Sequence, residues 1–143
     1  MRIGIDAMGG DHAPDAILQG ALAAVDQLAE RDRLVLIGDE AIIREHLEEA
    51  GLVGDARVEI EATADVIAMD ESPVNAVRSK PDSSLVRMAY LGSKKAGDKR
   101  CDAVISAGNT GACAAAAQMH MRRLRGVHRP GIAVTIPAFG GPT

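Results

Sequence analysis

The sequence predicts an α/β fold, in which a doubly wound, mostly parallel sheet carries helices on both faces in a three-layer α/β/α arrangement. Short apolar runs typical of buried strands alternate with segments of helical periodicity. Glycine-rich loops follow the first and the fourth of these runs. The length of 143 residues suits one domain of this class.

The first half of the chain contains three predicted strands separated by two helices. The strands are Arg2–Asp6, Leu34–Ile37 and Val58–Ala62. Pro14 fits the first turn of the first helix, where its missing N–H costs nothing. Apolar side chains follow at helical spacing, namely Ile17, Ala21, Val25 and Leu28. The second helix begins after Asp39 and is stopped by Gly51.

The second half is less regular because prolines at 73 and 81 interrupt it. Its predicted elements are a short helix at Val74–Arg78, a longer helix from Ser83 to about Lys95, a strand at Ala103–Ser106, an alanine-rich helix ending near Arg125-Gly126, and a strand at Ile132–Ile136. In such sheets the ligand lies beyond the carboxyl ends of the strands. We therefore expect the loops after Asp6 and Ser106 to share one edge.

Composition excludes several classes of protein. The hydrophobic fraction of 47% is too high for a disordered chain, and no apolar run reaches the roughly 20 residues of a membrane helix. Two cysteines are too few for a disulfide scaffold, and the chain starts on a strand-like run without a secretory signal. We expect a soluble, cytoplasmic, reduced protein. With one Tyr, one Phe and no Trp, a base-stacking nucleic-acid module is disfavoured.

The charge is unevenly distributed along the chain. Residues 1–75 carry 5 Lys and Arg against 17 Asp and Glu, whereas residues 76–143 carry 11 against 3. A basic segment in an acidic protein indicates a local anion site. The alternative is ordinary solvated surface with cations at helix ends, and charge alone does not decide between the two.

The sharpest local signal is the run Ser106-Ala107-Gly108-Asn109-Thr110-Gly111 between a strand and a helix. Glycines allow the backbone to approach a ligand, and a helix start offers unpaired N–H groups to an anion. The run resembles a phosphate cradle, although it lacks both the Walker lysine and the GxGxxG spacing. The alternative is a tight turn with Asn109 or Thr110 capping the helix.

A second candidate segment combines Arg78 and Lys80 with Ser83-Ser84 at a helix start. Arg offers a planar fork to an oxyanion, Lys a point charge, and serines add hydroxyl and amide donors. The alternative reading has two solvated loop cations and a serine N-cap.

The third segment runs from Asp6 to Asp15 and includes Gly9 and Gly10. Its carboxylates oppose a bare phosphate site, so we expect Asp6 to orient loop amides or a basic residue. A divalent metal held by Asp6, Asp11 and His12 is a weaker alternative, since one loop would supply every ligand.

Two further features have mainly structural interpretations. Cys113 lies in the alanine-rich helix as a small core residue, and Cys101 follows two cations, so each is a weak candidate nucleophile. Four arginines lie at the predicted C-terminus of that helix, where they either oppose the helix dipole or dock an acidic protein: Arg122, Arg123, Arg125 and Arg129.

Taken in order, these segments resemble the phosphate acyltransferase (PlsX) family of bacterial phospholipid synthesis. The matching motifs are Asp6-Ala7-Met8-Gly9-Gly10-Asp11, Ala13-Pro14, Val66-Ile67-Ala68-Met69-Asp70 through Pro73, Arg78, Lys80, Ser83-Ser84, Val104–Ala112 and Arg129-Pro130. Family members are longer, so the resemblance implies that residues 1–143 are the N-terminal portion of an α/β domain. It also implies a fold related to phosphate acetyltransferases and isopropylmalate-type dehydrogenases.

The resemblance implies that acyl–acyl-carrier-protein and inorganic phosphate react to give acyl phosphate and free carrier. No cofactor or metal is implied. The enzyme is expected to be a homodimer whose product feeds a membrane acyltransferase, so that the full-length protein associates peripherally with the membrane. Two alternatives stay open: a nicotinamide-dependent dehydrogenase relative, and a non-catalytic carrier-binding or dimerisation module.

The implied reaction and the local chemistry together give a hypothesis for the residue roles. We assign oxyanion donation to Lys80, Asn109 or Thr110. Phosphate or substrate binding is assigned to Asp6, Gly9, Gly10, Arg78, Ser83, Ser84, Ser106, Gly108 and Gly111. The four arginines Arg122, Arg123, Arg125 and Arg129 are expected to contact the carrier protein.

Overall fold

The main sheet has four parallel strands in the order β3-β2-β1-β4. The computed structural model describes residues 1–129, 131–133, 137–138 and 141–142. The strands of the sheet are β1 (Arg2–Asp6), β2 (Arg33–Gly38), β3 (Val58–Ala62) and β4 (Ala103–Ile105). The helices are α1 (Asp15–Ala23), α2 (Glu40–Glu49), α3 (Pro73–Ser79), α4 (Ser84–Leu91) and α5 (Thr110–His120). A short antiparallel pair consists of β5 (Pro137–Ala138) and β6 (Gly141–Pro142). The predicted α/β class with a parallel sheet is confirmed.

Strand β2 shows why helices cover both faces of the sheet. Its side chains alternate between two cores because successive residues of a strand point to opposite faces. Leu34 and Leu36 pack with α1 and α2, whereas Val35 and Ile37 pack with α4. All four are at most 3% exposed, so the strand is buried on both sides.

A third core joins α3, α4 and α5 beside the sheet. It is built from small and medium side chains, namely Ile67, Ala76, Val77, Leu85, Val86, Ala89, Ala112 and Ala116. Alanines on α5 allow close packing against the two neighbouring helices, so the stability of this layer depends on close contact between small groups instead of large rings. Among the described residues, no helix combines the length and apolarity needed to span a bilayer.

The strand order creates a switch point between β1 and β4. From β1 the chain adds β2 and then β3 on one side, and it later returns to place β4 on the other side of β1. Helix α1 follows β1 onto one face, and α5 follows β4 onto the opposite face, where it packs on α3 and α4. The carboxyl ends of β1 and β4 thus mark the switch point, the place where open α/β sheets bind ligands.

Some predicted boundaries differ from the structure, and one lies partly outside the described residues. Helix α4 ends at Leu91 instead of Lys95, because Gly92 closes it and Ser93 caps a separate 3-10 segment at Lys94–Lys99. The first helix ends at Ala23, before a 3-10 turn at Val25–Gln27. The strand predicted at Ile132–Ile136 extends outside the described residues, and Ile132 and Ala133 are not in a strand.

Helix α5 ends at His120, before the end predicted near Arg125-Gly126. The reason is a turn in which Arg122 adopts the left-handed conformation with φ 68°, and its N–H donates to the Ala117 carbonyl at 3.0 Å. Glycine usually occupies such a position. An arginine there gives no sequence signal for a helix end, so the boundary was not predictable from the sequence.

Arg122→Gly is expected to raise the free energy of unfolding by about 0.5–1 kcal/mol. Relief of the left-handed strain, about 1–2 kcal/mol for an L-residue, exceeds the extra conformational entropy that glycine loses on folding, about 0.5–1 kcal/mol. Urea denaturation measures the change. Arg122→Ala is the control, because it removes the side chain but keeps the strain, and equal stability of the two variants would contradict the interpretation.

Candidate functional site

The carboxyl ends of β1 and β4 are joined through the side chain of Asp6, which is 1% exposed. Its Oδ2 accepts a hydrogen bond from the Ser106 hydroxyl at 2.7 Å, and its Oδ1 accepts one from the Met8 N–H at 3.2 Å. The Ser106 Oγ in turn accepts from the Gly108 N–H at 3.0 Å. A single buried carboxylate thus organises amides of both loops, as predicted for Asp6.

Glycines allow the two loops to touch backbone to backbone at the switch point. A Cβ on Gly9 would lie 2.4 Å from the Asp6 Oδ2, and one on Gly108 would lie 3.2 Å from the Gly9 Cα. Gly10 has φ +131°, which side-chain-bearing residues rarely adopt. Gly9 and Gly108 are both buried, so these glycines allow the two loops to pack closely around the Asp6 carboxylate. We name this set the glycine crevice: Asp6, Gly9, Gly10, Ser106 and Gly108.

Asn109 joins the start of α5 to the loop at residues 68–71 through hydrogen bonds. Its Oδ1 accepts from the Ala112 N–H at 3.0 Å and so caps the helix. Its Nδ2 lies 3.1–3.3 Å from the carbonyl oxygens of Ala68, Met69 and Glu71. The capping alternative is confirmed, and both ends of this 7%-exposed amide are occupied by the protein. Oxyanion donation by Asn109 stays a prediction.

Lys80, at the end of α3, also holds this loop by hydrogen bonds. Its Nζ donates to the Val66 carbonyl at 2.8 Å and to the Glu71 Oε1 at 2.6 Å. The same Glu71 oxygen accepts from the Ala68 N–H at 2.7 Å. The Lys80 hydrogen bond and then the Ala68 amide lower the pKa of Glu71. In this arrangement Lys80 stabilises the loop at residues 66–71, and its catalytic role stays a prediction.

The remaining predicted residues fall into exposed and buried groups. Thr110, at the first turn of α5, and Arg78, near the end of α3, are exposed to solvent. Ser83 and Ser84 are 0% and 1% exposed, and the Ser83 hydroxyl accepts from the Val86 N–H as the N-cap of α4. The N-cap interpretation is therefore confirmed. The proposed phosphate role of both serines stays a prediction, and neither hydroxyl reaches the surface.

Gly111 allows α3 and α5 to meet at their starts. A Cβ at this position would lie 2.6 Å from the Pro73 Cγ, so only glycine fits between the two helices. Helix α3 is thereby held against the loop that leads out of β4. Gly111 shapes the surroundings of the glycine crevice by packing.

Neither cysteine resembles an activated nucleophile. Burial raises the pKa of the Cys101 thiol. Burial also raises the pKa of the Cys113 thiol; a hydrogen bond with the Ser106 side chain opposes this rise, and the charge of Asp6 adds to it. A raised pKa keeps a thiol protonated at neutral pH. In the part of the chain that the structure describes, no group of three or more His, Cys, Asp or Glu side chains is placed to hold a metal ion.

The basic run lies beyond the end of α5, so its arginines do not oppose the dipole from inside the helix. Arg122, Arg123, Arg125 and Arg129 are all exposed. The Arg123 guanidinium donates to the His128 carbonyl, which closes the loop on itself. These residues stand at the far end of α5 from the glycine crevice.

Glu71 is the site residue that the sequence did not reveal. It anchors Lys80 and the Ala68 amide, yet it follows Asp70 in an irregular loop without periodicity. The only available signal was its place between two motifs already singled out, Val66–Asp70 and Pro73. Such a position does not indicate which carboxylate pairs with which cation.

A family model described as a fatty acid synthesis protein matches residues 1–143. The chain belongs to this family. Similar relatives named phosphate acyltransferase come from Heliobacterium modesticaldum (41% identical over 141 residues), Geobacillus thermodenitrificans (45% over 141) and Halorhodospira halophila (46% over 144). The predicted family resemblance is confirmed.

The fatty acid synthesis family relatives are longer than this chain. The three matches cover 99–100% of this chain but 40% of each relative. The chain thus spans about two fifths of the length of the relatives it matches. The glycine crevice lies within this shared part.

Gly9→Ala is expected to destabilise the fold by about 1–3 kcal/mol, because its methyl group would collide with the Asp6 carboxylate that accepts the Ser106 and Met8 hydrogen bonds. Gly20→Ala is the matched control, because Gly20 lies in α1 and a Cβ at this position would meet no atom within 4 Å. That variant is expected to gain about 0.5–1 kcal/mol. Urea denaturation compares the two, and equal effects would contradict the crowding of the crevice.

Glu71→Gln is expected to destabilise the protein at pH 7 and to lose that effect in acid. The folded-state pKa of Glu71 lies below its usual 4.5, so the ionised carboxylate stabilises the folded protein. This contribution is fully present above the usual pKa of 4.5. The contribution disappears as the pH falls through the folded-state pKa. Denaturation at pH 7 and pH 3 checks this, with Glu45→Gln on the exposed side of α2 as control. A destabilisation unchanged at pH 3 would contradict the ion pair.

Proposed function

We propose that this chain provides the phosphate site of an enzyme that transfers a fatty acyl group from a carrier-protein thioester to inorganic phosphate. The observation that carries the proposal is the glycine crevice at the switch point between β1 and β4. There glycines bring the loops after β1 and β4 together beside the start of α5, a helix end whose first N–H groups favour an anion. The relatives' printed name, phosphate acyltransferase, supports the same assignment.

The reaction needs positioning more than it needs an enzyme nucleophile. Phosphate is already nucleophilic near neutral pH. One of its oxygens forms a bond to the thioester carbonyl carbon, the carbon–sulfur bond breaks, and the released thiolate takes a proton to leave the carrier thiol. The protein has to hold phosphate beside the carbonyl and donate hydrogen bonds to the tetrahedral oxyanion. The raised pKa values of both cysteines agree with direct attack by phosphate.

The described residues divide into donors and supports. The hydroxyl of Thr110, the first amides of α5 and the exposed Arg78 are the groups we assign to phosphate and oxyanion. Asp6 and Ser106 hold the loop amides in place, because the carboxylate already accepts two hydrogen bonds. Asn109 and Lys80 fix the adjacent loop, so their effect on the reaction runs through its position.

The basic run beyond α5 supports an acidic protein partner. Four exposed arginines within eight residues attract a carrier of opposite charge and speed its association at low salt. Following the family resemblance, we propose the acyl carrier protein as this partner. A homodimeric enzyme that supplies acyl phosphate to a membrane acyltransferase, working in the cytoplasm at the membrane surface, is the setting we expect from the same resemblance.

The test is to incubate the 143-residue chain with an acyl carrier thioester and phosphate and to trap acyl phosphate with hydroxylamine. Ser106→Ala is expected to lower product formation by about 100-fold, because it releases Gly108 and Asp6 from their hydrogen bonds and misplaces the amides. Ser79→Ala is the control, since its hydroxyl donates only within α3. Hydroxamate formation that is absent from the wild type, or equal in both variants, would contradict the proposal.

A further inference from the structure

Glu71 is hydrogen-bonded to the end of one helix through its side chain and to the start of another through its backbone. Its Oε1 accepts from the Lys80 Nζ at 2.6 Å and from the Ala68 N–H at 2.7 Å. Its main-chain carbonyl accepts from the Asn109 Nδ2 at 3.1 Å. The loop at residues 66–71 is therefore linked by this one residue to the end of α3 and to the N-cap of α5.

Packing adds a second link between this loop and α5. Pro73 begins α3 two residues after Glu71, and a Cβ on Gly111 would lie only 2.6 Å from the Pro73 Cγ. The starts of α3 and α5 are thus in close contact. Because closely packed groups transmit a shift, a displacement of Glu71 reaches α5 through the Asn109 hydrogen bond and through the Gly111 contact.

The first turn of α5 is the part of the site that such a shift would affect. Its amides are the groups assigned above to phosphate, and a helix N-terminus binds an anion well only when those amides point at it. The Asn109 Oδ1 accepts from the Ala112 N–H at 3.0 Å, while its Nδ2 is held by three carbonyl oxygens of the loop at 3.1–3.3 Å. The position of the loop therefore sets the position of the cap and of the turn that it closes.

We propose that Glu71 is a positioning residue for the phosphate site. It holds the loop at residues 66–71 in the place where Asn109 keeps the first turn of α5 in its binding conformation. This inference rests on the proposed function and extends it to a carboxylate that acts without contacting phosphate.

Charge alone makes the opposite prediction for Glu71. A carboxylate near an anion site repels the anion, so its removal would strengthen phosphate binding. The carboxylate is paired with Lys80, however, and the two side chains are 29% and 32% exposed, so the ion pair by itself contributes little. What the pair adds is two hydrogen bonds to the loop backbone, at Val66 and Ala68. The sign of the change in phosphate affinity thus separates positioning from repulsion.

The first measurement is the binding of inorganic phosphate to the 143-residue chain by calorimetry. Glu71→Ala is expected to weaken binding about tenfold, the effect of roughly one hydrogen bond. Glu71→Gln keeps an oxygen that accepts from the Ala68 N–H, so this variant should weaken binding by less, about threefold. Unchanged or tighter phosphate binding by Glu71→Ala would overturn the inference.

Asp55→Ala is the matched control for a general loss of stability. The Asp55 carboxylate also accepts from a cation and from a backbone N–H, both of Arg57, at 2.7 and 2.8 Å. It precedes β3, at the edge of the sheet opposite the glycine crevice. Asp55→Ala should bind phosphate like the wild type at a temperature where circular dichroism shows every variant folded. Equal weakening by Asp55→Ala and Glu71→Ala would overturn the inference.

The second measurement follows amide hydrogen exchange by NMR and needs no ligand. The Ala112 N–H is capped by Asn109 in α5, and the Ile42 N–H is capped in the same way by Asp39 in α2, at 3.2 Å. Glu71→Ala is expected to speed exchange about tenfold at Ala112 and to leave Ile42 unchanged, because α2 belongs to a different core. Equal acceleration at both amides, or none at Ala112, would overturn the inference.

The two measurements distinguish failure of this inference from failure of the proposed function. Absence of phosphate binding by the wild type would contradict the proposed function, and exchange at Ala112 would still decide whether Glu71 positions the start of α5. Wild-type phosphate binding that Glu71→Ala leaves unchanged would overturn the inference alone.

Discussion

The buried carboxylate of Asp6 is the constraint on which the rest of the site depends. A charge that is 1% exposed at the end of a sheet requires hydrogen-bond partners, since burying it unpaired would be strongly unfavourable. Ser106 from the neighbouring strand end and the Met8 amide provide them. Because these partners come from different loops, neither loop can move without exposing or abandoning the carboxylate. The requirement for glycine at position 9 follows directly, as no larger residue leaves space for that oxygen.

The loop at residues 66–71 illustrates how polar groups near a ligand site can serve the protein itself. Asn109 and Lys80 have the side chains that an anion or oxyanion would use, yet both are engaged by carbonyl oxygens and Glu71. Their contribution is to keep the wall of the crevice in one position. Thr110 and Arg78, by contrast, are exposed to solvent. Polar residues a few positions apart are thus either held by other parts of the protein or left exposed.

Helix α5 connects the crevice to the rest of the molecule through its small side chains. On one side Ala112 and Ala116 allow close packing on α3 and α4. On the other side Ala114 and Ala117 line a groove that also includes Arg122. An alanine-rich helix can therefore pack closely on one side and present an exposed face of small side chains on the other. The near absence of aromatic residues in this chain fits that arrangement.

Sequence patterns predicted the regular parts of the molecule well, since they depend on local physics. Alternating apolar runs indicated the buried parallel strands, and Asp39 and Gly51 indicated the limits of α2, because capping and left-handed glycine act within a few residues. The end of α5 at Arg122 was missed, as an arginine with positive φ carries no signature. Predicted hydroxyl donors at Ser83 and Ser84 turned out to be buried by α4 packing.

By itself the sequence determined the fold class, the order of the motifs and the loops that would carry the site. Periodicity, capping residues and glycine-rich turns are properties of neighbouring positions, so they can be recognised without the third dimension. Tertiary structure alone decided which side chains pair across the molecule. Asp6 meets Ser106 from 100 positions away, and Asn109 spans about 40 positions to hold its loop. Only folding brings such distant groups together, and it thereby decides which polar residues hold the loops in place and which remain exposed to solvent.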